Sequence, residues 1–234
     1  MLLQIPDFHK SNEILYVLNS VHQAEQTSVS KIALQKLLYL SSALAPVKDI
    51  ILSILKFQRI QRGPYSKEIQ NIVDHLVAYG LVEISEFNVV YSKNSLAHYK
   101  ITEGGIRAVE QLGKYSKENE KIWWIDSITR LSLTYSKLDF ADGDDDFEGL
   151  DKIVRIVYQD LTFKEVKSTK GFRALIDFES EHGPTRLLID FVKNYIAENS
   201  QYFNIANPRY EAELILTSFF DYFFNNYLKE YSHE

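Results

Sequence analysis

The chain has 234 residues, 45% of them hydrophobic and 25% charged, with no cysteine and a formal net charge of −6. A chain of this size and composition can bury a core without covalent staples, and the lack of thiols excludes disulfides and thiolate metal sites. The negative balance argues against a surface coated all over for nucleic acid.

The charge is unevenly spread. Between Lys31 and Lys67 seven basic residues meet one acidic residue, Asp49, a local +6 that leaves −12 on the remainder. The opening Met1-Leu2-Leu3-Gln4-Ile5-Pro6-Asp7 lacks the basic region and apolar run of a signal peptide. The most apolar stretch, Leu214 to Phe224, is broken by Asp221 and is too short to span a bilayer. A cytoplasmic location with no membrane partner is the expectation.

Ser11-Asn12 is a candidate cap for a first helix with Ile14, Leu15, Leu18 and Val21 on its apolar face. Ser28 or Ser30 caps a second, whose inward residues are Ile32, Leu34, Leu37, Leu38 and Leu40, and Pro46 ends it. A third apolar segment follows at Ile50, Ile51, Ile54 and Leu55, then alternation from Phe57 to Gln61 predicts a short strand. Arg62-Gly63-Pro64-Tyr65-Ser66 is a turn into a helix carrying Ile69, Ile72, Val73, Leu76 and Val77 on one face, and Gly80 stops it. Two strand-like runs, Leu81 to Phe87 and Ala97 to Ile101, flank the polar tip Ser92-Lys93-Asn94-Ser95. Thr102 then caps a helix with Ile106, Val109 and Leu112. Helix, helix, turn, helix, hairpin, helix is the order of a winged helix-turn-helix.

The remainder reads as helical. A long helix holds Ile122, Trp123, Ile125, Ile128, Leu131 and Tyr135, and an acidic loop from Asp139 to Gly149 follows. Shorter helices are predicted near Leu150–Leu161, Phe172–Phe178 and Pro184–Ala197, and a last one starts at Asn207-Pro208. The expected fold is mainly α with a small β wing: a winged helix-turn-helix domain over residues 1–114, then a helical partner-binding domain over residues 115–234.

Several sequence elements carry a family resemblance. These are Lys31-x-x-Leu34-Gln35-Lys36-Leu37-Leu38-Tyr39-Leu40, Arg62-Gly63-Pro64-Tyr65-Ser66-Lys67-Glu68-Ile69-Gln70, Tyr79-Gly80-Leu81-Val82-Glu83 and Tyr99-Lys100-Ile101-Thr102-Glu103-Gly104. Together, over residues 29–112, they resemble the winged-helix middle components of bacterial ABC-three-component defence systems, Lamassu-like cassettes whose ATPase is SMC-like. More distantly the pattern is similar to Panacea-type antitoxin domains. The resemblance implies a non-enzymatic adaptor bridging an SMC-like or ABC-type ATPase and an effector, with double-stranded DNA as a further partner.

In direct DNA reading, the second helix of the motif would face the major groove. It offers Lys67, Gln70, Asn71 and Asp74, of which Gln and Asn suit adenine whereas Asp74 repels phosphate. Lys56, Arg59, Arg62 and Lys93 are candidates to hold the phosphate backbone. The alternative function is therefore a transcription regulator or antitoxin-like DNA-binding protein. For protein contact the candidates are Trp123, Trp124, Phe219, Phe220, Phe223, Phe224 and Tyr227, because aromatics surround the last helix.

No catalytic set, cofactor or metal is expected. Counted from Asp142, the positions that an EF-hand fills with Gly and Glu hold Phe147 and Ile153. Asp160, Glu165 and Lys167 resemble a nuclease carboxylate set only faintly, since that chemistry needs groups converging from neighbouring strands. The six histidines never pair at helical ligand spacing, and no phosphate-binding glycine loop or nucleophile elbow occurs.

Overall fold

The computed structural model describes residues 7–54, 56–60, 63–90, 94–138, 149–168, 183–201, 203 and 207–231. It is mainly helical with small antiparallel sheets. Helix α1 spans Phe8–Gln23 and is capped by Asp7, whose carboxylate accepts from the His9 and Lys10 amides, so it starts before the expected Ser11-Asn12. Strand β1 (Val29–Ser30) leads into α2 (Lys31–Ala43), capped by the Ser30 hydroxyl on the Ala33 amide. Pro46 lies in a 3-10 turn, Ala45–Val47, rather than at the helix end itself.

The third apolar segment is not helical. The Glu13 carboxylate takes the backbone N–H groups of Ser53 (2.6 Å) and Ile54 (3.0 Å), which a helix would need for its own ladder. Leu52 and Ile54 turn inward while Ile51 is 76% exposed, and Leu55 lies outside the described residues.

Strands β2 (Gln58–Ile60) and β3 (Gly63–Tyr65) pair antiparallel and deliver the chain into α3 (Lys67–Ala78). Helix α3 buries Ile69, Ile72, Val73 and Leu76, the expected face, and ends where Gly80 takes φ +68°. Strands β4 (Val82–Val90) and β5 (Asn94–Ile101) form a ribbon whose inner edge accepts β1, giving the antiparallel order β1-β5-β4. Helix α4 (Glu103–Leu112) follows, capped by Thr102 on the Gly105 amide.

Beyond it lie α5 (Ser116–Ser136), a 3-10 turn at Gly149–Lys152, α6 (Ile153–Val157), α7 (Leu161–Ser168), α8 (Pro184–Glu198) and α9 (Pro208–Tyr231). Asn207 caps α9 through the Arg209 amide. The helix expected at Phe172–Phe178, and residues 139–148 of the acidic loop, lie outside the described residues.

Helices α1 and α2 are central rather than amphipathic. Residues 13–21 of α1 and 33–42 of α2 are buried on all sides, because α5 packs on both and α6 packs on α2. Trp124 of α5, with no exposed surface, donates its indole N–H to the Ser41 carbonyl at 2.9 Å. Buried side chains from Ile14 to Tyr227 form one cluster, so residues 114/115 do not separate two cores. Among the described residues no helix is long and apolar enough to cross a membrane.

Candidate interaction site

Helix α3 is held by a clasp from α2. The buried Gln35 amide bonds the Ser66 backbone twice: Nε2 donates to the carbonyl at 3.0 Å and Oε1 accepts the N–H at 2.8 Å. The next residue, buried Lys36, donates Nζ to the Pro64 carbonyl at 2.7 Å. Gly63 sits at φ +89°, where a Cβ would meet the Tyr158 ring at 2.8 Å and Lys36 Cε at 3.2 Å. Only glycine combines that backbone conformation with that close approach. Gln35-Lys36 and Gly63-Pro64-Tyr65-Ser66, separate motifs in the sequence, are thus two halves of one device that fixes where α3 begins.

Burial pushes the Lys36 ammonium down to about 7, with Asp151 opposing that shift. A lysine lowered by folding binds fewer protons in the native than in the unfolded state. Its contribution to stability is therefore present above the ordinary value of 10.5 and is lost as pH falls through about 7. In urea denaturation the protein should gain stability from this group between pH 7 and pH ~9.5, and Lys36→Met should remove that part of the slope. An unchanged slope would contradict the assignment.

The outer face of α3 is poor in available positive charge. Lys67 and Asn71 are exposed, but Gln70 is half-buried and committed. Its Nε2 donates to Asp74 at 2.8 Å, and its Oε1 accepts the Tyr99 hydroxyl of β5 at 3.2 Å. Glu68 pairs with Lys10 of α1. Of the remaining DNA-facing candidates, Lys56 and Arg59 are exposed on the segment that leads into and forms β2, while Arg62 and Lys93 lie outside the described residues. The structure brings Lys67, Gln70 and Asn71 together on one helix, flanked by two carboxylates, and places Lys56 and Arg59 on a different element.

The ribbon carries a feature that the sequence reading missed. A bulge between Ile84 and Glu86 shifts the register, so Ile84 lies opposite Tyr99 and Phe87 opposite Ala97. Cross-strand neighbours share a face, and Tyr99 reaches α3, so Ile84 and Phe87 lie on the ribbon face that looks toward α3. They remain 48% and 59% exposed. Glu83 and Glu86 are exposed on the same strand, Glu83 beside Lys100 at 3.2 Å. Simple alternation from Leu81 to Phe87 hides this pair, because a bulge is needed to put residues three apart on one side.

Five of the seven aromatic partner-contact candidates belong to the protein's own core. Trp124, against α2, and Phe219, Phe220, Phe223 and Tyr227 of α9, which packs on α5 and α6, are each buried, so the expectation that they form a partner surface is corrected. Trp123 is half-buried under the Arg209 guanidinium, 5.1 Å from its ring, and Phe224 lies 6.0 Å from Tyr135. Phe219, Phe220, Phe223 and Tyr227 of α9 are thus covered within the protein itself, while Tyr210 and Tyr222 of the same helix remain exposed.

Asp160 is the hub of a buried network. It accepts the hydroxyls of Tyr39 (2.7 Å) and Thr185 (2.6 Å) and the amide of Phe163 (2.9 Å), tying α2, α7 and α8 together. Burial raises its carboxyl above the ordinary range and raises the Tyr39 phenol as well. Glu165 is exposed and the segment from Leu161 to Ser168 is helical, so Asp160 and Glu165 do not converge from strands as metal-dependent cleavage requires. Among the described residues no group of three His, Asp or Glu side chains gathers to hold a metal ion.

Compared with protein-family models, with curated proteins and with solved structures, the chain matches none of them.

Proposed function

We propose that this chain is a non-enzymatic adaptor subunit of a bacterial anti-phage complex, bridging an SMC-like ATPase and an effector. Its N-terminal part, residues 1–114, is a winged helix-turn-helix, with α2 and α3 as the paired helices and β4–β5 as the wing. The reading is supported by the element order and by the strand order β1-β5-β4, and by the resemblance carried by the Gln35-Lys36 and Gly63–Ser66 motifs. Residues 115–234 form the helical half that meets the ATPase.

The observation that carries the choice of protein over DNA is the pair Ile84 and Phe87. Exposed apolar side chains on a DNA-reading wing gain nothing from phosphates, whereas at a protein interface they are anchors. Gln70, locked between Asp74 and Tyr99, is not free to read adenine, and Glu68 and Asp74 give the ionisable groups of α3 a net charge of −1 with His75 neutral. DNA contact, where it occurs, falls to Lys56, Arg59, Lys67 and Asn71.

When the tagged protein is co-expressed with the untagged products of its neighbouring genes, the neighbours are expected to co-purify. Ile84→Asp combined with Phe87→Asp should release one of them while leaving the helical circular-dichroism signal unchanged. A partner-free monomer would sink the adaptor reading. Duplex binding titrated across salt addresses the second reading: a sequence preference that survives physiological salt would identify an operator-binding regulator instead.

A further inference from the structure

A cavity of about 650 Å³ opens between the start of α1, the segment after the 3-10 turn and the first turns of α5. Its volume falls in the range of small-molecule sites, roughly 300–1,000 Å³. The acidic groups around it are each matched by a cation. Asp49 is 2.7 Å from Lys193 of α8, and Glu120 is 2.6 Å from Arg209 of α9. Beneath them Glu13 is held by two backbone amides, and Lys121 lies 3.8 Å from both Glu13 and Glu118.

Two of the three wall lysines and the wall histidine are not matched in this way. The Lys48 ammonium, the Lys117 ammonium and the His9 ring make no hydrogen bond or ion pair with another described residue, although all three line the cavity. Lys48 and Lys117 stand on different walls, one on the 48–53 segment and one on α5. Ile50 and Ile51 line the same cavity, and Ile51 is among the most exposed large apolar side chains of the described residues. Asp49 holds φ at +54°, a backbone conformation rare outside glycine, and its ion pair with Lys193 pins the segment that presents Lys48 and Ile51.

Two ammonium groups with no partner among the described residues, lining one cavity from different elements, call for a ligand with a compact dianion, and the isoleucines that share the lining call for an organic body attached to it. We propose that this cleft binds a small phosphate-bearing organic molecule, with Lys48 and Lys117 taking the phosphate and Ile50 and Ile51 packing the body. The site is independent of the adaptor reading.

The test titrates phenyl phosphate into the full-length protein and follows the Ile50 and Ile51 methyls and the His9 ring by NMR. Inorganic phosphate and phenol serve as the two halves of the probe. The shifts of these three residues should saturate with phenyl phosphate, at a Kd of about 1 mM or below. Each half alone should bind about tenfold more weakly or worse. Lys48→Glu with Lys117→Glu should weaken phenyl phosphate at least about tenfold and leave the melting temperature in place, since neither lysine is paired with another described residue. Shifts that do not saturate, or that are unchanged in the double variant, would overturn the proposal. Equal affinity for inorganic and phenyl phosphate would overturn the role given to the isoleucine wall.

Discussion

Gly105→Ala should destabilise the protein by about 3 kcal/mol, although alanine is the better helix former by about 1 kcal/mol. Gly105 lies in α4, where a Cβ would stand 2.4 Å from the Leu81 carbonyl oxygen and 2.6 Å from Ile101 Cγ1. Both belong to the root of the β4–β5 ribbon, and that same carbonyl accepts the Thr102 amide at 3.1 Å. A backbone atom cannot rotate aside as a side chain does, so α4 must lift from the sheet and loosen the contact beneath Val109 and Ile101. Gly104, the adjacent residue, supplies the control: a Cβ there meets nothing closer than 3.5 Å. Gly104→Ala should be neutral or stabilising by up to about 1 kcal/mol. Urea denaturation of the two variants decides the matter, and equal midpoints would show that α4 is not seated on the ribbon as described.

Asp160→Ala should cost about 3–5 kcal/mol, because it leaves the Tyr39 hydroxyl and the Phe163 amide unpaired in the interior and strips the Thr185 hydroxyl of its carboxylate acceptor, leaving it only Thr162. Asp160→Asn should cost much less, since the amide keeps an acceptor oxygen and carries no charge to bury. The two variants also separate packing from titration. A carboxyl raised by folding contributes stability that is fully present below its ordinary value of 3.8 and is lost as pH rises through its folded value. The wild type should therefore gain on Asp160→Asn as the pH is lowered from 7 toward 4. Glu13 and Asp151, also raised by burial, titrate in both proteins and cancel in the difference. A constant difference across that range would mean that Asp160 titrates as an ordinary carboxylate.

Helices with one buried face were legible in the sequence, and those with two were only half legible. Helix α3 shows a single apolar stripe and a glycine stop, and the structure buries that stripe. Helix α1 shows a stripe too, yet Tyr16, Val17 and Asn19 are buried alongside it because α5 covers its back. Periodicity reports how many faces are apolar, not how many are covered. The segment at Ile50–Ile54 is legible only as a third apolar run, because what sets its non-helical path is a carboxylate about forty residues earlier, Glu13. The aromatics of α9 drew attention for their density, but density alone does not distinguish a core from an interface. Ile84 and Phe87 went unnoticed for the opposite reason, being few and set by a bulge that alternation does not encode. The clasp was visible only as two familiar motifs, since pairing Gln35 with Ser66 requires knowing that α2 passes the turn.

Helix α2 touches both halves of the molecule through consecutive turns. Gln35 and Lys36 grip the start of α3, while Tyr39 and Ser41 hold Asp160 and Trp124 of the C-terminal half. It behaves as a shared axle. Both sets of contacts sit within two turns of α2, so the side chains that fix where α3 begins and those that bond Asp160 and Trp124 share one helical segment.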